Sequence, residues 1–127
     1  MKRLNKLYWL KKEIEQIEMQ IKELTVLSAM AMNGMPSGNS VSSPVERFYD
    51  RLEKLRTKLQ TKLNEYVTEK EHIEEYIESI EDPEIRVIAR LRFIDNEDYQ
   101  TIGNEMFMDR TTVYKKLKKY FEKEGKQ

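Results

Sequence analysis

The chain has 127 residues, 36% charged and 39% hydrophobic, the size of one domain or of a small domain with an extension, which excludes a large enclosed core. Lys plus Arg and Asp plus Glu both number 23, so net charge gives no pull towards nucleic acid, and a basic surface has to come from uneven distribution. The absence of cysteine excludes a disulfide framework and a thiolate metal site, and no apolar run approaches the ~20 residues of a membrane span.

From Leu4 to about Ser28, apolar residues fall at Leu7, Leu10, Ile14, Ile17, Ile21 and Leu24, in steps of three and four. That is the seam of a coiled-coil helix. Lys11, Lys12, Glu13 and Glu15 interrupt any signal-peptide core, so an intracellular, soluble protein is expected. Glu13, Glu15, Glu18 and Glu23 balance Lys11, Lys12 and Lys22, which argues against a membrane-surface helix with its lysine-rich polar face. Tyr8 and Trp9 lie beside the seam as packing or interface residues. Asn33 to Pro44 has the composition of a flexible linker, expected over about residues 30–43.

Ser43 and Pro44 restart a helix as cap and first turn. Val45, Phe48, Leu52, Leu55 and Leu59 continue the seam; two successive steps of four between Leu55 and Leu63 make a stutter, and Tyr66, Lys70, Ile73, Ile77 and Ile80 resume it. This helix should run from Pro44 to Glu81, with the first covering about two thirds of it. An antiparallel hairpin would then bury the seam from Val45 to about Tyr66 and leave Ile73, Ile77 and Ile80 needing another partner. That partner is either the C-terminal helices or a second copy, which makes these three isoleucines the candidate oligomerisation residues of a homodimer; Lys70 at a seam position discourages uninterrupted two-stranded packing. His72, the only histidine, is flanked by Glu71, Glu74 and Glu75 and reads as solvated surface. No metal, no cofactor and no enzyme activity is expected, since no nucleophile has a base at a recognisable spacing.

Asp82 to Phe121 carries the functional signal. Asp82, Pro83 and Glu84 start a helix that reaches Ile94, Asp95 to Glu97 form a turn, and Asp98 caps a second helix with Tyr99, Ile102, Gly103 and Met106 on its apolar side. After a tight turn at Phe107 and Met108, Asp109 caps a third helix from Arg110 to about Lys123. Small Gly103 sits where the second and third helices would touch, as close packing across a short turn requires. Between Asp109 and Tyr120 the only acid is Asp109, against Arg110, Lys115, Lys116, Lys118 and Lys119. In a helix-turn-helix the second helix of the pair enters the major groove by its N-terminal part. Arg110, Thr111, Thr112 and Lys115 are therefore the candidates for base edges. Lys118, Lys119, Arg90, Arg92, Gln100 and Thr101 are the candidates for phosphates.

RVIARLRFIDNEDYQTIGNEMFMDRTTVYKKLKKYF, from Arg86 to Phe121, resembles the sigma-factor module that reads the minus-35 promoter element. It resembles still more the version in phage and prophage transcriptional regulators of the RinA/ArpU type. The likeness extends upstream through the charged first helix, the Gly34-Met35-Pro36-x-Gly38 linker, the long acidic helix and Glu81 to Glu84. It implies a regulator acting in the cytoplasm of a bacterial host, activating late or packaging genes at an operator, with RNA polymerase as a further partner. Phe107 stands where the module commonly has its turn glycine, and Lys116 where a hydrophobic residue is expected three after Val113. Two phases of the third helix are compatible with this: Tyr114 inward with Lys116 outward, or a slight rotation.

The expected fold is all-α: a long antiparallel helical hairpin, the coiled-coil arm of residues 1–81, then a three-helix helix-turn-helix domain of residues 82–124. The expected function is sequence-specific binding of double-stranded DNA in transcription regulation. The alternatives are a small-terminase-like DNA-packaging subunit and a protein-interaction module whose helix-turn-helix does not bind DNA.

Overall fold

A computed structural model describes residues 3–34 and 44–125, without the side chains of 32–34. The described residues form an all-α fold: α1 (Lys6–Gly34), α2 (Pro44–Glu78), α3 (Pro83–Ala89) continued by a π-helical turn (Arg90–Ile94), α4 (Tyr99–Met106) and α5 (Arg110–Gly125). α1 stays helical to Gly34, so residues 30–34 of the expected linker belong to the helix, while the rest of it and the expected cap Ser43 lie outside the described residues. α2 stops three residues before Glu81. Pro83 disfavours helical backbone at the residue before it, and Asp82 is accordingly extended, at φ −72° and ψ 113°.

The chain divides into two compact units, and the division does not fall between Glu81 and Asp82. One unit is Leu10–Glu65; the other joins the residues up to Trp9 to those from Tyr66 onward. In the first, Leu10, Ile14, Ile17 and Leu52 are buried, with Ile21, Leu24, Phe48, Leu55 and Leu59 half-buried beside them. Glu13 of α1 meets Lys62 of α2 at 2.7 Å. In the second, Lys6 lies 3.6 Å from Glu69. α1 rises as α2 descends, so the two helices are antiparallel.

The stutter between Leu55 and Leu63 is not what α2 does. Leu63 is 37% exposed, and half-buried Lys62 takes the inward position, so the inward residues run Phe48, Leu52, Leu55, Leu59, Lys62, Tyr66 and Glu69 in unbroken steps of four and three. A lysine stem can lie along apolar surface while its ammonium reaches Glu13. The double step of four comes later, from Glu69 through Ile73 to Ile77.

Those isoleucines pack inside the second unit. Ile73, Ile77 and Ile80 are 2%, 0% and 1% exposed, and they share one core with Leu4, Leu7, Ile85, Ile88, Ala89, Phe93, Ile94, Ile102, Val113 and Leu117. Of the two partners the sequence left open, the C-terminal helices cover this seam. The oligomerisation role expected of Ile73, Ile77 and Ile80 is therefore corrected: a second copy has no surface to meet there, because the chain's own α3 to α5 and the start of its first helix occupy it.

Candidate nucleic-acid interface

Local chemistry fixes each helix of the motif. Asp82 accepts from the N–H groups of Glu84 at 2.9 Å and Ile85 at 3.4 Å, which ties off the start of α3 behind Pro83. Arg86 donates to the Ile80 carbonyl at 2.8 Å, holding the turn out of α2. The π-helical turn, closed by the Asp95 N–H on the Arg90 carbonyl at 3.1 Å, brings Phe93 and Ile94 both inward. Asn96 follows with φ +56°, a backbone that Asn tolerates better than most side chains.

Asp98 caps α4 by accepting from the Thr101 N–H at 2.7 Å, and Asp109 caps α5 by accepting from the Thr111 N–H at 3.0 Å. Hydrogen bonds from Thr101 hold the Asp98 carboxyl below the ordinary range of an aspartate, and those from Thr111 do the same for Asp109. Both caps are thus anionic at neutral pH.

Between α4 and α5 the chain turns on Phe107, left-handed at φ 56° and ψ 44°, while the N–H of Met108 reaches back to the Gly103 carbonyl at 2.9 Å. This is the Schellman closure of a helix. A Cβ at Gly103 would lie 2.6 Å from the Met108 carbonyl oxygen and 3.3 Å from the Arg110 nitrogen, so only glycine lets α4 and α5 approach this closely. Ile102, Val113 and Leu117 are fully buried where they meet.

The burial of Val113 and Leu117 fixes the phase of α5. Tyr114 is 39% exposed and sets its ring edge-on to Tyr99, 5.5 Å away. Lys116 points neither into the core nor away from it; half-buried, it ion-pairs with Glu84 and ties α5 to α3. Lys116 therefore stands apart from the outward face. Arg110, Thr111, Thr112, Lys115, Lys118 and Lys119 are all exposed. By helical spacing Thr111, Lys115, Lys118 and Lys119 share the side away from Val113 and Leu117. The strip ends at the exposed acids Glu122 and Glu124.

The remaining candidates are placed differently. Arg90 is exposed but lies 3.9 Å from Glu74 and 3.3 Å from Glu78 of α2. Arg92 is half-buried: it donates to the Glu97 carbonyl at 3.0 Å, and its guanidinium sits 4.3 Å from the centre of the Tyr99 ring. It is a brace for the turn into α4. Gln100 and Thr101 are exposed on the first turn of α4, Gln100 donating to Asn104 at 3.2 Å. Sequence reasoning missed Phe107 as a surface residue. It is 96% exposed, and the signal was available, since an aromatic side chain where a turn favours glycine has to leave the fold.

Among the described residues no group of three His, Asp or Glu is placed to hold a metal ion, and no helix is long and apolar enough to cross a membrane. No curated protein and no solved structure matches the chain. A family described as a protein of unknown function, DUF1492, matches residues 37–124, which takes in α2, α3, α4 and nearly all of α5. The match covers well over half of the chain, and the chain belongs to this DUF1492 family.

Proposed function

We propose that this protein is a sequence-specific DNA-binding transcriptional regulator of the bacterial cytoplasm, an activator of phage or prophage late or packaging genes. One observation carries the reading: α5 has a fully buried stripe at Val113 and Leu117, and on its other sides Arg110, Thr111, Thr112, Lys115, Lys118 and Lys119 all face solvent. The first four offer donors and methyl groups to base edges in a major groove, and Lys118 and Lys119 offer charge to phosphates. Gln100 and Thr101, on the first turn of α4, add neutral donors to the backbone. The resemblance to sigma-type readers favours a promoter-proximal operator and contact with RNA polymerase.

Self-association through the helical arm belongs to the same proposal. With Ile73, Ile77 and Ile80 enclosed, the exposed apolar side chains left on α1 include Met19, Val26, Leu27 and Met30, each more than half exposed. Two linked readers would gain by binding repeated half-sites together.

The test is footprinting on duplexes selected from the genomes of phage and host. Arg110→Ala with Lys115→Ala should abolish the specific footprint of a protein that remains folded. Lys118→Ala should weaken binding to all sequences and lower the slope of log affinity against log salt by about one. Unaltered footprints would sink the assignment. A ring of many copies by light scattering would favour a DNA-packaging subunit, and the absence of salt-dependent duplex binding would favour a protein-interaction module.

A further inference from the structure

Phe107 is costly where it stands. It is left-handed, and the only other described residue beyond glycine with positive φ is Asn96. The two hydrogen bonds that close this turn, from the N–H groups of Phe107 and Met108 to the Gly103 carbonyl, are main-chain bonds that glycine would make without strain. Its ring does nothing for the fold in return. Phe48, Phe93 and Phe121 each pair with another aromatic ring, whereas Phe107 is 96% exposed and has no ring partner among the described residues.

Backbone strain and exposed apolar surface thus coincide at one residue, and the residue lies at the entrance of the candidate reader. It comes two places before the cap Asp109 and three before Arg110, at the end of α5 that enters a groove. The charges nearest it along the chain are exposed Glu105 on one side and exposed Arg110 on the other, with the Asp109 carboxylate engaged by the Thr111 N–H; the exposed cations Lys115, Lys118 and Lys119 that follow along α5 favour a duplex over an apolar protein surface. A ring brought into the major groove meets one apolar group there, the C5-methyl of thymine.

We propose that Phe107 is a specificity-determining contact, its ring packing on the C5-methyl of one thymine beside the bases that α5 reads. The inference rests on the DNA-binding reading and deepens it. Full-length protein is used to select binders from random-sequence duplexes, and each thymine of the selected site is then replaced singly by deoxyuridine, which removes only the methyl group. Wild type should lose about fourfold in affinity at one position, the factor for one methyl-sized apolar contact. Phe107→Gly should lose a similar factor on the parent site and become indifferent to that methyl. Arg110→Ala should keep the methyl sensitivity.

The variant's thermal melt, at or above that of wild type, excludes misfolding as the cause. A uracil profile for Phe107→Gly identical to that of wild type overturns the inference while leaving the DNA reading intact. Failure of wild type to select any sequence overturns the DNA reading itself, and the inference with it.

Discussion

Single atoms decide the geometry of the turn between α4 and α5. At Gly103 a methyl group would raise helix propensity, yet it would meet the Met108 carbonyl oxygen at 2.6 Å, and that oxygen belongs to backbone that has no free end to swing away. Gly103→Ala should therefore destabilise the protein by about 2 kcal/mol in urea unfolding. Phe107→Gly has the opposite sign, because it removes left-handed strain and loses no contact; a gain of about 1 kcal/mol is expected by the same measurement. The two aspartate caps set a pH dependence. Asp98 and Asp109 are held below their ordinary value of 3.8, so their contribution is fully present above that value and is lost as pH falls through the lowered folded-state values. Asp98→Asn with Asp109→Asn keeps capping oxygens that do not titrate. Its unfolding midpoint should fall less steeply than that of wild type below about pH 4.

At the scale of elements, α2 has the most to say. Its inward residues change in character along its length, from Leu52 and Leu59 through charged Lys62 and Glu69 to the fully enclosed Ile77. Glu69 is 7% exposed and faces Arg3 at 3.8 Å and Lys6 at 3.6 Å, both on largely exposed side chains, and its Oε1 has no hydrogen-bond partner. Contacts of this kind with exposed cations return little of the cost of burying a carboxylate. Glu69→Leu should accordingly be neutral or stabilising by about 1 kcal/mol, and a clear destabilisation would show that the ion pairs matter more than the burial. Ile77→Ala removes buried methyl groups at a fully enclosed site and should cost about 3 kcal/mol. Leu63→Gln, on the same helix but 37% exposed, should stay within about 0.5 kcal/mol of wild type in the same unfolding series.

For the whole molecule, the consequence is that the helix-turn-helix does not end at its own first residue. Ile73, Ile77 and Ile80 share one core with Ile85, Ile88 and Phe93, so a fragment beginning at Asp82 would leave that apolar face open. Such a fragment, at 46 residues, is also near the lower limit for independent folding. It should give a non-cooperative thermal transition by circular dichroism, whereas a longer fragment beginning at Tyr66 regains the isoleucine cover and a sharper one. A cooperative melt of the shorter fragment would count against this. In hydrogen exchange, the amides of α2 beyond Tyr66 should open together with those of α3 and α5, and those of Leu10–Glu65 as a separate unit.

Much of this was legible in the chain. The three-and-four spacing from Leu7 to Leu24, the punctuation at Asp82-Pro83, Asp98 and Asp109, and the small residue at Gly103 determine helices, their starts and one close approach, because each depends on chemistry within a few residues. What Ile77 packs against, which of Lys62 and Leu63 turns inward, and where Lys116 points were decided only by tertiary structure. The sequence left two answers open for Ile77 and for Lys116 and favoured Leu63 over Lys62, and each time the choice fell to a partner distant along the chain: the core of α3 to α5 for Ile77, Glu13 for Lys62 and Glu84 for Lys116. Periodicity tells that a side chain faces something; only the assembled core supplies what it faces.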